Sequence, residues 1–172
     1  HPRLIGAVQD LIDDAVQWHH TVLHGKPPEK GTPFPMHQDY PFYPHDGLDF
    51  VDCLAHLDDT PLESGALRVV PGSHKNGPLQ HITGPDTAPH LPTDKYHPDF
   101  IDSIPLPAKA GDVIFFSYCL IHWSNVNRTN DWRRSVRFGY HKAGMRPVGK
   151  APNEPYNNII AGGFKTNPNA SA

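Results

Sequence analysis

Two histidines and one carboxylate carry the first chemical signal in this chain. His37 and Asp39 stand two residues apart in Met36-His37-Gln38-Asp39-Tyr40, and His122 lies far downstream in Leu120-Ile121-His122-Trp123-Ser124. In an extended strand, residues i and i+2 point to the same face, so His37 and Asp39 can reach one ion while Gln38 turns away. Two imidazoles and a carboxylate on one side of a metal suit non-haem Fe(II), with the opposite side open for substrate and oxygen. The chain has 13 histidines, so a histidine alone is not evidence of a ligand. His74, His81, His90 and His97 fall in turn-rich sequence, where solvated or structural roles are expected. Gln38, Tyr40 and Trp123 flank the ligands and are candidates to touch a substrate.

The elements that must bring these residues together are short. Leu4, Ile5, Val8, Leu11, Ile12 and Ala15 recur at helical spacing and predict a helix over 2–19. Strands are expected over 20–25, 48–57, 66–70, 104–109, 113–116, 121–124 and 134–141, separated by Pro- and Gly-rich turns. Lys26-Pro27-Pro28 stops the first strand. Asn125 to Asp131 reads as a polar hairpin-like loop. Residues 75–103 and the irregular sequence after Gly144 read as long loops, the candidate lids. Many short strands between turns suggest a sandwich or jelly-roll barrel.

Composition narrows the classes. The 172 residues suit one domain, and 20 Pro with 14 Gly argue against a helical bundle. A net charge of −3 gives no electrostatic case for nucleic acid. No apolar run approaches the roughly 18 residues that span a membrane, and the N-terminus lacks the pattern of a signal peptide. Cys53 and Cys119, each in an apolar stretch, read as reduced core residues, which points to an intracellular, cytoplasmic protein. Nothing in the sequence sets the oligomeric state. A helix that begins this abruptly, without an initiator Met, suggests that N-terminal sequence of a longer protein is missing.

The ordered segments His20-Thr21-Val22-Leu23 with Lys26-Pro27-Pro28, His37-Gln38-Asp39, Ser64-Gly65-Ala66-Leu67-Arg68-Val69-Val70-Pro71-Gly72-Ser73-His74, Gly111-Asp112-Val113-Ile114-Phe115-Phe116 and Ile121-His122-Trp123-Ser124 followed by Arg133 resemble the phytanoyl-CoA dioxygenase family of Fe(II)- and 2-oxoglutarate-dependent oxygenases. The resemblance runs from about Val16 to His141. It implies a mainly β double-stranded β-helix, a cupin-like jelly roll with flanking helices. It also implies Fe(II) held by His37, Asp39 and His122, with 2-oxoglutarate and O2 as cosubstrates. Arg133, eleven residues after His122, stands where the family anchors the distal carboxylate of 2-oxoglutarate. A guanidinium grips a carboxylate with two parallel charged hydrogen bonds, which a lysine does not reproduce. Arg134 is adjacent and Arg137 near. Extended geometry puts Arg133, Ser135 and Arg137 on one face and turns Arg134 outward, so Arg133 is the preferred anchor.

Ser124 matches a hydroxyl contact to the cosubstrate, and His20 and Val22 match a strand lining the same pocket. Leu54 stands where the family often has Trp. Asp52 and His56 share its face, as substrate contacts or as a satisfied polar pair. Asp39 argues for hydroxylation, desaturation or epimerisation over halogenation, which in related enzymes needs a small residue there. The implied activity is hydroxylation of an aliphatic C–H in a small molecule, with release of succinate and CO2. Two other readings use the same residues. One is a zinc or other metal-dependent hydrolase or isomerase on a cupin-like barrel, which would have no use for a keto-acid anchor. The other is a β-barrel binding module without catalysis.

Overall fold

The computed structural model describes residues 1–29, 32–84, 87–149 and 158–161. The chain begins with helix α1 (Pro2–Ile12) and continues through strands β1 (Val16–Lys26), β2 (Phe34–His37), β3 (Phe50–His56), β4 (Leu67–Val69), β5 (Ile82–Gly84), β6 (Thr87–His90), β7 (Ile104–Leu106), β8 (Val113–Ser117), β9 (His122–Ser124), β10 (Arg133–Lys142) and β11 (Asn158–Ala161). One sheet has the order β11-β1-β10-β3-β8 and a second β2-β9-β4-β7, with β5 and β6 forming a separate hairpin. All pairings within these sheets are antiparallel. This is the expected mainly β jelly roll. No described helix is long and apolar enough to cross a membrane.

Leu54 and Phe116 from the larger sheet meet Leu67 and Val69 from the smaller one, so this cluster is the layer between the two sheets. α1 lies on the outer face of the larger sheet, where Val8 and Ile12 pack with Val16, Cys53 and Tyr140. Both cysteines are free and buried.

Four local expectations are corrected. The helix does not run to residue 19. Asp13 adopts a left-handed conformation (φ 55°, ψ 33°) and its N–H caps Gln9, ending the helix. Val16 to His19 then extend β1, with Val16, Gln17 and Trp18 pairing to β10 and β11. The β-branched and aromatic residues here suit a strand better than another helical turn. Residues 75–103 are not a structureless lid: they hold the β5–β6 hairpin, and Leu91 is fully buried against Met36, Ile121 and Trp123. After Gly144, β11 adds an edge strand beside β1; Pro152 and Pro155 of the tail lie outside the described residues. Finally, Asp39 is not in a strand. β2 stops at His37, and Asp39 has helical dihedrals (φ −79°, ψ −20°) ahead of a 3-10 turn over Tyr40–Phe42.

Candidate active site

His37 and His122 are direct cross-strand partners in the β2–β9 ladder. Side chains opposite one another in an antiparallel pair start only about 5 Å apart at Cβ, and here the rings sit 4.2 Å apart between centroids. The turn after His37 swings Asp39 onto the same spot. His37 Nε2 lies 3.8 Å from Asp39 Oδ1, and His122 Nε2 lies 3.7 Å from Asp39 Oδ2. One ligand atom from each of the three residues falls within 4.8 Å of the others. So the three residues do converge, although by a strand end and a turn rather than by strand alternation.

The donor set fits a divalent metal. His37 Nδ1 donates to the Pro35 carbonyl at 2.7 Å and His122 Nδ1 to the Leu120 carbonyl at 2.9 Å. Each bond fixes a tautomer with an Nε2 lone pair facing Asp39, as ligating histidines require. Burial pushes the His37 pKa down to about 3, reinforced by the neighbouring His122, so its imidazole is neutral. Both Asp39 oxygens are buried and make no hydrogen bond of sound geometry; their partners are ionic. Burial by itself would raise the Asp39 carboxyl, but Arg137, His122 and His37 outweigh it and hold the group well below the usual carboxylate range.

A cleft opens beside this group, with an empty volume of about 450 Å³ counted out to its mouth. It is lined by His24, Phe34, His37, Leu54, Leu67, Phe116, His122, Trp123, Ser124, Arg133 and Arg137. Arg133 and Ser124 therefore share a wall with two of the candidate ligands. Arg133 is 6% exposed and donates to the Gly65 carbonyl at 3.1 Å and to Ser135 Oγ at 3.2 Å, while its Nε has no hydrogen-bond partner. The three neighbouring arginines differ in what they face. Arg134 points out and forms a two-pronged pair with Asp58 at 2.9 and 2.8 Å. Arg137 ion-pairs with Asp39 and lies 3.9 Å from Asp52. Among the described residues no carboxylate pairs with Arg133, whose pKa is lowered to about 10 by burial. It is a buried cation facing a cleft without a counter-charge.

Other sequence candidates fall elsewhere. Val22 is 37% exposed and outside the cleft's lining, and His20 stands behind the wall. A bulge at His19 shifts the register between Trp18 and His20. The extra residue changes which side chains point inward. His20 then faces Gly139, where a Cβ would lie 2.2 Å from its Cε1. Its Nε2 is 3.6 Å from Asp52 Oδ1. Asp52 is fully buried and accepts from Tyr43 Oη at 3.1 Å, and His56 is also buried, so neither is a mouth contact. Burial and the Asp39 charge push the Asp52 carboxyl well above its ordinary range. Gln38 is fully buried and turned away from the candidate ligands, whereas Trp123 does line the cleft, its Nε1 donating to Ser103 Oγ at 3.0 Å. Tyr40 packs edge-on to Tyr118.

Sequence reasoning did not single out Arg137 as a neighbour of Asp39, nor His24 on the cleft wall. Both had a signal in strand alternation: Arg137 shares the face of Arg133, and His24 that of His20.

Comparisons with known proteins give the family and the fold. A "Probable phytanoyl-CoA dioxygenase" of Caenorhabditis elegans is 32% identical over 152 residues, covering 81% of this chain and 48% of that protein. A "Probable alpha-ketoglutarate-dependent hypophosphite dioxygenase" of Stutzerimonas stutzeri is 28% identical over 152 residues, covering 85% and 52%. The chain thus spans about half the length of these curated relatives. The solved structure of the non-heme monooxygenase ThoJ, in its apo form, superposes with a TM-score of 0.78 at 23% identity, covering 95% of this chain and 61% of that one, a likeness of fold. The profile described as "Phytanoyl-CoA dioxygenase (PhyH)" matches residues 1–135, which hold β2, β9, Arg133 and all three candidate ligands. On that match, the chain belongs to the phytanoyl-CoA dioxygenase (PhyH) family.

Proposed function

We propose that the protein is a non-haem Fe(II)- and 2-oxoglutarate-dependent dioxygenase that hydroxylates an aliphatic C–H of a small molecule, a natural product, small metabolite or acyl-CoA. The observation that carries this reading is the meeting of His37, Asp39 and His122 at a cleft whose wall also holds the uncompensated cation Arg133. His37, Asp39 and His122 would hold the ion. When bound, it supplies oxygen activation at the expense of 2-oxoglutarate, with succinate and CO2 as coproducts. Arg133 would take the distal carboxylate of the cosubstrate, and Ser124, on the same wall, would hydrogen-bond it.

The protein's part is orientation and exclusion of water. Leu54, Leu67 and Phe116 make the inner wall apolar, which strengthens each charged contact made there. Arg137, wedged between Asp39 and Asp52 and 5.7 Å from the Tyr43 ring, steadies the carboxylate ligand. His20 acts through Asp52 rather than by contact, and Val22 stands at the exposed part of its strand. The described residues are read as one oxygenase domain. Two buried thiols fit a reducing, cytoplasmic setting. A zinc hydrolase reading gives Arg133 no role.

The test is succinate formation by the full-length protein, with Fe(II) and 2-oxoglutarate each omitted in turn, against a panel of small-molecule substrates. Turnover that requires both supports the proposal. Metal-dependent hydrolysis without 2-oxoglutarate overturns it. His122→Ala should abolish metal retention, read directly by metal analysis; full occupancy in that variant would remove His122 from the ligand set.

A further inference from the structure

Gln38 stands between two candidate ligands and is held more tightly than a residue that merely points away. Its side-chain amide donates to the Gly77 and Cys119 carbonyls at 2.9 and 2.6 Å, and its Oε1 accepts the Leu79 N–H at 2.8 Å. Its backbone N–H donates to His81 Nε2 at 2.9 Å. That last bond has a local cause. The β2–β9 ladder stops at His37, so the next N–H has no strand partner. A buried N–H left unpaired costs about 1–3 kcal/mol, and the imidazole supplies the acceptor.

His81 is set up to accept. Its Nδ1 donates to the Leu79 carbonyl at 2.9 Å, which leaves the lone pair on Nε2. The segment carrying these groups is anchored at its far end as well. The Leu91 N–H donates to the Met36 carbonyl at 2.8 Å, next to His37, and the Leu91 side chain packs on Ile121, next to His122. Gly77, Leu79 and His81 on one side and Leu91 on the other therefore grip the ligand turn.

We propose that His81 is a positioning residue for the metal centre, fixing the Gln38 peptide and with it the turn that swings Asp39 toward His37 and His122. The inference rests on the ligand assignment above. Asp39 reaches the site only because the chain leaves the strand directly after His37. The orientation of the His37–Gln38 peptide sets that departure. Two hydrogen bonds donated and one accepted by the Gln38 side chain leave the peptide little freedom once His81 takes its N–H. Gly77, Leu79, His81 and Leu91 thereby act as a clamp on the ligand turn.

The experiment is titration of the metal-free full-length protein with Co(II), a spectroscopic stand-in for Fe(II), followed by its ligand-field absorption. Melting temperatures are measured with and without the ion. Removing an outer partner of a metal ligand typically weakens binding about 10–100-fold. His81→Ala should show a loss in that range and shifted bands. His81→Gln, whose amide oxygen can take the Gln38 N–H, should recover most of the affinity and the wild-type bands. If His81→Ala does not fold, His81→Leu replaces it, keeping bulk without an acceptor. Wild-type affinity and spectrum in the acceptor-less variant overturn the proposal. So does a His81→Gln protein no better than that variant, since loss of packing alone would then explain the effect. A wild-type protein that binds no Co(II) would overturn the ligand assignment itself; Co(II) binding unaffected at position 81 would overturn only the positioning role.

Discussion

Among the described residues no carboxylate pairs with Arg133 at the cleft, while its two neighbours on the strand are already paired. A buried charge is expensive unless something pairs with it, which is why the proposed function gives Arg133 an anionic ligand. Charge-assisted hydrogen bonds contribute about 1.5–3 kcal/mol each, and tenfold in binding corresponds to about 1.4 kcal/mol. Arg133→Ala is therefore expected to raise the 2-oxoglutarate needed for half-saturation by about 100-fold or more while metal still binds. Arg133→Lys, which keeps the charge but loses the fork, should raise it by roughly tenfold. Ser124→Ala removes one neutral hydrogen bond and should cost about 3–10-fold. Measured half-saturation in succinate assays checks all three; an Arg133→Ala protein with unchanged cosubstrate dependence would move the anchor elsewhere. At this scale the candidate ligands were legible as types and spacings, and Arg133 through the family resemblance. Arg137 against Asp39, Asp52 behind it and His81 on the Gln38 N–H were not, because each depends on a contact between segments far apart in sequence.

Gly65 shows how an element can hold a site from behind. It closes the 3-10 turn over Leu62–Ser64 with φ at 79°, and a Cβ there would lie 2.4 Å from the Asn125 carbonyl oxygen. The same residue's carbonyl accepts from Arg133. Gly65→Ala meets both a left-handed backbone and a backbone clash, so it should destabilise the fold by roughly 1–3 kcal/mol. The turn must shift to relieve the clash, so cosubstrate affinity should fall with it. Urea denaturation and 2-oxoglutarate titration on one preparation check the coupling, and lowered stability with normal affinity would break it. The turn ahead of the 66–70 strand, Glu63-Ser64-Gly65, was readable as a tight one, because glycine marks such positions. The end of α1 was misplaced for the complementary reason: Ala15 continued the apolar period, but Asp13 turned left-handed and Val16 had two strands to join. Periodicity describes one face of a segment, whereas sheet pairing offers hydrogen bonds that no local pattern contains. β5 and β6 went unread because they are short and lack a clear alternation, and Leu91, whose burial anchors them, is buried by Met36, Ile121 and Trp123, all distant in sequence.

For the molecule as a whole, short strands between Pro- and Gly-rich turns made a jelly roll legible before any pairing was known, since only closed or stacked sheets use so many brief strands. What composition could not give was the cost of folding so many histidines inward. Burial, with Arg137 nearby, pushes the pKa of His20 down to about 3 and that of His24 to about 4; burial and His122 do the same for His37, to about 3. In the unfolded chain each takes up a proton near pH 6.5. Between pH 6.5 and about 4 the unfolded state therefore binds more protons than the folded state, and stability must fall as pH falls through that window. Asp52 works in the opposite sense, because its raised carboxyl takes up a proton in the folded state first. Each imidazole that is protonated only in the unfolded chain steepens the fall by about 1.4 kcal/mol per pH unit, and the Asp52 carboxyl offsets part of it. Urea midpoints measured from pH 7 to 5 test this, with His24→Gln expected to reduce the slope by about one proton. A midpoint that stays flat across that range would mean that these imidazoles meet water, and that the wall they form around the candidate ligands is not the dry one the cleft requires.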